Sequence, residues 1–573
     1  MTSFSTASHG GMSRGKDEEE RGGRLKTGSL PNTATRCDAI ISDELSFYPA
    51  VTLGTTFQEM DGFGVSQAFG RANDIFNAAA SAQTKALDLL FSPTAGAGFT
   101  ILRNRIGNGN TASDSILPTS PGSPTATPNY QFDNNDSSQI WLSKKAIGYG
   151  VKTFYADAWG APYFMKTNNA VGGGGFLCGV SGETCSSGNW MQAYANFLVR
   201  YVQYYNSNNI TITHLGFLNE PEFAASYSSM LSSGAQAANF IAVLYPTIQA
   251  AGLGNQIKIA CCDSEGWDNQ KTMTAAIISA GAINQVGVIT SHSYVTQPDT
   301  PISTTLHTWM TEYADLNGAW NLNWHSSGAQ GEGLFWATLI YDGIVNAGLS
   351  AYLYWEGAEA SAATDSCLIT IVGSTATPSA RLWALAQWSR YVRPGAVRVA
   401  TTSGSSALLT SAFKNTDGTV SVQVINTATT AQTVSISVSG GTFGAVQAFV
   451  SQQSNGGLPT AATASISGGV VSGSAPGFSM TTFILSGAST TGTTTTTTTA
   501  SASTRSTTTT GTVTTTSTTT TSTPGTVAEW GQCGGDGWTG ATVFSVSGGL
   551  SSHGISHVLK GKAANANMFL VRV

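Results

Sequence analysis

Ile210-Thr211-Ile212-Thr213-His214-Leu215-Gly216-Phe217-Leu218-Asn219-Glu220-Pro221-Glu222 decides the reading of this chain. Ile210 to Leu218 is apolar and strand-like, and it stops abruptly in polar residues and a proline, which ends a strand. A strand of a (β/α)8 barrel reads this way where its C-terminal end opens into a site, because such barrels carry their chemistry at that face. Asn219 and Glu220 would set an amide beside a carboxyl group there. An isolated Asn-Glu-Pro is usually a surface turn, but a second stretch changes the weighing. Trp309-Met310-Thr311-Glu312-Tyr313 puts another carboxylate at the end of another short apolar run. A βαβ step takes about 30 residues, so Glu220 and Glu312 stand about three βα units apart, as on strands four and seven of one barrel. Two carboxyl groups facing each other across a barrel mouth suit glycoside hydrolysis. One protonates the leaving oxygen, and the other attacks the anomeric carbon or activates water.

Outward from these two stretches, strand patterns alternate with helical ones. Thr56 to Ser66 reads as a strand and a glycine turn, Ala78 to Leu90 as a helix, and Phe99 to Ile106 as a second strand with Arg103 and Arg105 near its end. A Pro/Ser/Thr/Asn-rich loop follows from Gly107 to about Asp136. Lys152 to Trp159 is the third strand, and Trp190 to Tyr205 is a helix by its apolar spacing. Gln256 to Ala260, Gly287 to Ser291, Leu306 to Thr311 and Leu349 to Trp355 are strands five to eight. Eight such alternations predict an α/β fold, a (β/α)8 TIM barrel over residues 56–393, with 37–55 joining it to a side domain.

From about Pro394 the period changes to two. Ala407 to Phe413, Val420 to Ile425 and Thr433 to Val438 predict an antiparallel β-sandwich side domain over 394–487. Ala39 to Phe47 is expected to add a strand to it. Residues 1–36 carry the mixed run Lys16-Asp17-Glu18-Glu19-Glu20-Arg21 and read as a disordered tail. Residues 488–525 are nearly all Thr, Ser and Gly, the composition of a glycosylated stalk.

Only 10% of the 573 residues are charged, against about 25% in average soluble proteins, and glycine is abundant. This composition resembles extracellular polysaccharide-handling proteins, so the chain is expected to be secreted. No apolar signal segment is visible in residues 1–36, and the expectation is that this start is not the natural N-terminus. The net charge of −6, with no basic patch, argues against a nucleic-acid partner. No apolar run is long enough to span a bilayer. The seven cysteines show no zinc-site spacing. Cys178 and Cys185 could staple one loop, and Cys367 could pair with Cys261 or Cys262. Asn135-Asp136-Ser137 and Asn209-Ile210-Thr211 fit the N-glycosylation sequon.

Six stretches in order resemble glycoside hydrolase family 30, a retaining family. They are Asp61-Gly62-Phe63-Gly64, Leu102-Arg103, Ala158-Trp159-Gly160-Ala161-Pro162-Tyr163-Phe164-Met165-Lys166, Asn219-Glu220-Pro221, His292-Ser293-Tyr294 and Thr311-Glu312. In the third, Ala158 and Phe164 replace a proline and a tryptophan of the family pattern. The resemblance covers about residues 38–487 and is nearest to the fungal xylan-active group, subfamily 7. It implies Glu220 as general acid and then base, and Glu312 as nucleophile. Arg103 would pair with Glu312, Asn219 would donate to the sugar 2-hydroxyl, Tyr294 would hydrogen-bond the nucleophile, and His292 would orient its neighbours. Trp159 and Trp355 would stack on sugar rings. Arg71 stands where an arginine grips the glucuronyl branch of glucuronoxylan, since a guanidinium fork matches a planar carboxylate. Glu222, Glu265, Glu332, Glu356 and Asp263 are competing carboxylates, Glu222 foremost.

The implied activity is β-1,4-xylan hydrolysis by a monomer without metal or organic cofactor, with xylan or glucuronoxylan as the only partner. Alternatives within the family are β-1,6-glucanase, β-1,6-galactanase and glucosylceramidase. An alternative of another class is a catalytically silent cell-wall carbohydrate-binding protein. Residues 526–543, with Trp530-Gly531-Gln532-Cys533-Gly534-Gly535 and Trp538, resemble the start of a family 1 carbohydrate-binding module. That module needs disulfides and three aromatics. Only Cys533 is present here, and 544–573 looks unrelated, so no stable cellulose-binding module is expected.

Overall fold

A computed structural model describes residues 49–487 and, beyond them, the two-residue strands Thr526–Val527 and Val543–Phe544, which pair in parallel. The expectations for residues 1–36, for Ala39 to Phe47, for the 488–525 stalk and for most of the partial binding module and the 544–573 tail fall outside the described residues.

Eight strands form the barrel. They are β1 (Gly62–Ser66), β2 (Ile101–Ile106), β3 (Thr153–Ala158), β4 (His214–Gly216), β5 (Lys258–Ser264), β6 (Val288–His292), β7 (Thr308–Glu312) and β8 (Ala351–Ala360). Each pairs in parallel with the next, and β8 pairs with both β7 and β1, so the sheet closes on itself. Parallel neighbours require helical crossovers, which cover the outer face. The helix Met191–Ser207 shows how the sequence specifies one. Tyr194, Leu198, Tyr201, Val202 and Tyr205 recur at helical spacing and are all buried, so one stripe faces the sheet. The next helix, Gly234–Ala250, starts with a reciprocal cap in which Ser233 and Gln236 satisfy each other's backbone N–H groups. Inside the barrel, Ile101, Tyr155, Ala260, Val288, Trp309, Ala351 and Leu353 fill the lumen. It is a packed core, so the chemistry is confined to the strand ends.

The side domain is a ten-stranded antiparallel arrangement with one parallel pair. Val420–Asn426 is buried along its whole length. Val420, Val422 and Val424 point into the sandwich core, and Ile425 joins the barrel core. Gln387, on the helix Ala380–Ser389, donates to Ser451 Oγ at 2.9 Å and accepts from Thr482 Oγ1 at 2.7 Å, fastening the two domains.

Two expectations are corrected. The N-terminal strand of the sandwich is Ala50–Glu59, which runs across the boundary expected at residue 56 and lies between Val397–Thr402 and Gln432–Ser439. Cys261 and Cys262 pair with each other, and Cys178 pairs with Cys185. Cys367 is unpaired among the described residues. It is buried, and its Sγ donates to the Ile369 carbonyl.

Candidate active site

The site is built around the buried guanidinium of Arg103, at the middle of β2. Its Nη1 pairs with Glu312 Oε2, and its Nη2 lies 2.8 Å from Asp157 Oδ2, 2.7 Å from Asn219 Oδ1 and 2.8 Å from Asp263 Oδ2. Five of the eight strands or the turns that follow them thus meet at one side chain. Gly216 makes room for this. A Cβ there would sit 2.0 Å from Asp157 Oδ1 and 2.6 Å from the Tyr155 hydroxyl.

Backbone irregularities aim the other groups. β5 bulges at Asp263, β7 at Thr311 and β8 at Trp355, where the partner strand advances one residue for two. A bulge re-aims side chains that a regular strand would point elsewhere. Glu220 and Asp263 hold left-handed backbone at φ 48° and 50°, and Phe69 does so at 47°. Such residues carry strain of order 1–3 kcal/mol each and cluster at functional sites. The Glu220 N–H donates to the Asp263 carbonyl at 2.8 Å, which ties two of the strained residues together.

Glu220 and Glu312 face each other. One oxygen from each, with a ring nitrogen of His292, lies within 4.8 Å of the others. His292 Nδ1 is 3.0 Å from Glu220 Oε1, and its Nε2 is 3.6 Å from Asp263 and 3.7 Å from Glu312. Tyr227 donates to Glu220 Oε2 at 3.3 Å, and Tyr294 donates to Glu312 Oε1 at 3.0 Å. Asn219 uses its Oδ1 on Arg103, which leaves its Nδ2 without a partner among the described residues.

Charge is distributed by burial and contact. Burial opposes protonation of His292, yet Glu312, Asp263 and Glu220 outweigh it and lift the ring to about 10. Burial likewise opposes the charge of Arg103, and Asp263, Glu312 and Asp157 more than restore it. Burial pushes the Asp263 carboxyl up, but Arg103 and His292 hold it well below the usual range. Burial and the neighbouring Asp263 push Asp157 well above it, with Arg103 only partly offsetting them. Burial raises Glu312 above the ordinary glutamate value, while His292 and Arg103 pull it back. The three-residue group of Glu220, His292 and Glu312 has spacing that would admit a metal ion. A protonated ring and a guanidinium already seated on Glu312 oppose a further cation there.

Both glutamates open on a cleft of about 570 Å³ whose walls include Phe69, Arg71, Tyr294, Trp159, Trp355 and Glu356. Trp159 is nearly buried, with the Arg103 guanidinium 4.5 Å from its ring centre, and Trp355 is the more open of the two indoles. Their centroids are 6.0 Å apart, and Phe69 packs edge-on against both. Arg71 begins the helix Arg71–Phe76 just after β1. Its Nη2 lies 3.4 Å from Glu359 and its Nη1 3.9 Å from Asp74.

The structure therefore brings together all nine residues singled out in the sequence. Among the competitors, Glu222 is exposed and accepts from the Glu265 N–H at 3.2 Å. Glu332 is turned to Ser326, Ser327 and Gly328, whose donors outweigh burial and lower it to about 2. Asp263 belongs to the Arg103 cluster, and Glu265 and Glu356 line the cleft. Asp157, Tyr227 and Phe69 were not anticipated. Asp157 had a signal, since a charge inside the apolar run Phe154-Tyr155-Ala156-Asp157-Ala158 must find a buried partner. Tyr227 and Phe69 stand in irregular segments and had none.

Residues 61–316 match the glycosyl hydrolase family 30 TIM-barrel domain, and residues 395–483 match the glycosyl hydrolase family 30 beta sandwich domain. The catalytic domain of GH30 xylanase C from Talaromyces cellulolyticus is 49% identical, with a TM-score of 0.74, over 77% of this chain and 100% of that one. The subfamily 8 xylanase Xyn30A from Clostridium acetobutylicum shares the fold at 23% identity and a TM-score of 0.61, over 77% of this chain and 100% of its own. Endo-1,6-beta-D-glucanase BGN16.3 of Trichoderma harzianum is 26% identical over 407 residues, 65% of this chain and 78% of that protein. With both domains matched in order and a near-half-identical relative covered in full, the chain belongs to glycosyl hydrolase family 30.

Proposed function

We propose that this glycoside hydrolase cleaves β-1,4-xylosidic bonds in xylan, preferring glucuronoxylan, by double displacement with Glu220 and Glu312. The carboxyl spacing carries the mechanism. One oxygen of each lying within 4.8 Å of the other suits retention, for which the two groups stand about 5–5.5 Å apart, better than inversion, which places a water between groups about 6.5–9.5 Å apart. Glu312 attacks the anomeric carbon while Glu220 gives its proton to the departing oxygen. Glu220 then takes a proton from water, the water oxygen bonds to the anomeric carbon, and Glu312 leaves. Arg103 and Tyr294 each hold one oxygen of Glu312, so both steady the carboxylate before attack and receive its charge as it departs. The free Nδ2 of Asn219 is available to the sugar 2-hydroxyl.

The choice of polymer rests on similarity to a xylanase at 49% identity over its whole catalytic domain. Arg71 supports a branched substrate. Its side chain is 43% exposed at the cleft, and Glu359 holds the guanidinium without enclosing it. The β-1,6-glucanase relatives support a second reading, cleavage of β-1,6-glucan. Mass spectrometry of products from 4-O-methylglucuronoxylan, unsubstituted xylan and β-1,6-glucan separates the two. Acidic xylo-oligosaccharides of regular length support branch-directed xylan cleavage. Products from β-1,6-glucan alone would overturn it.

A further inference from the structure

Glu356 lines the same cleft and has no task in the mechanism above. It is 1% exposed, and its Oε2 is buried without a hydrogen-bond partner among the described residues. Such an atom lowers stability and calls for an explanation. Its position also departs from a regular strand, where successive side chains face opposite sides. The β8 bulge pairs Tyr354 with Val65 and Glu356 with Ser66, so Trp355 and Glu356 both reach the cleft although they are adjacent. The surrounding charges are Glu359 on the same strand, Arg71 after β1, Glu312 on β7 and Arg103 on β2. Arg71 is paired with Glu359, and Arg103 with its own cluster, so neither forms an ion pair with Glu356. Burial, then Glu359, pushes its carboxyl well above the usual range, which favours the protonated form that can donate as well as accept.

We propose that Glu356 is a specificity-determining residue whose carboxyl group hydrogen-bonds a hydroxyl of the neutral sugar unit seated beside Glu312. The missing partner of Oε2 arrives with the substrate. The same site would disfavour an acidic group, because the carboxylates of Glu312 and Glu359 stand beside Glu356, whereas Arg71 is placed to take one. The inference rests on the glycosidase reading of the cleft.

The test uses the full chain with Glu356→Leu and Glu356→Gln. It measures kcat/KM on linear xylan and on β-1,6-glucan, together with the thermal midpoint. A substrate contact predicts that Glu356→Leu loses about tenfold or more in kcat/KM while its midpoint is unchanged or higher, because an unmatched buried polar group has been removed. Glu356→Gln, which keeps a donor and an acceptor, should stay within about threefold of wild type. If both variants lose midpoint and activity in step, Glu356 is structural and the inference falls. Wild-type cleavage with Glu356→Leu equally active overturns this inference alone. A wild-type chain that cleaves neither polymer overturns the reading of the site and this inference with it.

Discussion

Tyr294→Phe isolates one bond to Glu312, the nucleophile of the proposed mechanism. The phenol donates to Glu312 Oε1 at 3.0 Å, while Arg103 holds the other oxygen. Burial first, then Glu312 and Glu220, pushes the phenol well above its usual value, so it stays a donor across the working range. A hydrogen bond to a charged group contributes about 1.5–3 kcal/mol. One pKa unit is about 1.36 kcal/mol, so losing the bond should raise the Glu312 carboxyl by about 1–2 units. The sign follows from which form the bond favours. Tyr294 stabilises the ionised carboxylate, so without it ionisation needs a higher pH. The acid limb of the kcat/KM profile should therefore move up by about 1–2 pH units. The alkaline limb should hold, because Glu220 is held by His292 and Tyr227 and not by Tyr294. Phenylalanine keeps the edge packing against His292 and Tyr313, so the thermal midpoint should change little. The assay is the pH–rate profile of wild type and variant on xylo-oligosaccharides, with the midpoint measured in the same buffers. An acid limb that stays in place would refute the reasoning, since Glu312 would then not be the group that must ionise.

Other outcomes follow from the same geometry. Arg71→Ala should lower kcat/KM on glucuronoxylan about tenfold, a charge-assisted bond weakened by competition from Glu359, and leave linear xylan nearly unaffected. Equal losses on both polymers would remove the branch-binding role. His292 gains protonation on folding, from 6.5 to about 10, so its contribution to stability is full below about 6.5 and is lost as pH rises through about 10. Urea midpoints between pH 6 and 10 should decline more steeply in wild type than in His292→Gln. Lys166, whose Nζ donates to the carbonyls of Val171, Gly174 and Ser229 at 2.8, 3.0 and 2.6 Å, pins the loop after β3. Lys166→Met should cost about 2–3 kcal/mol in denaturant titrations and expose residues 167–189 to proteolysis, and an unchanged midpoint would refute the pinning. Cys178→Ser with Cys185→Ser should cost up to about 2.5 kcal/mol, as expected for so short a closed loop.

How far the sequence could be read depended on whether a residue kept the register of its strand. Glu220 and Glu312 end apolar runs, and the barrel, the sandwich and the pair of facing carboxyl groups could be read from such runs, whereas the roles of Arg103 and Tyr294 entered only through the resemblance to the family. The strand Ala50–Glu59 was not anticipated, because its partners, Val397–Thr402 and Gln432–Ser439, lie far along the chain and leave no local pattern. The cysteine pairing was undetermined for the same reason, since spacing does not say which side chains converge. The bulges escaped altogether. Alternation puts Thr311 and Glu312 on opposite faces, and likewise Trp355 and Glu356, so it admits only one site residue from each pair. In the structure Thr311 donates to Asp263 Oδ1 at 2.7 Å beside Glu312, and Trp355 and Glu356 share one cleft. Asp263, at the third bulge, is the base of the whole cluster, holding Arg103, Tyr155 and Thr311 at once. Crowding this many polar groups onto few strand ends needs consecutive side chains on one face. A regular ladder does not allow that, so the densest part of the site is also the part that periodicity misreads.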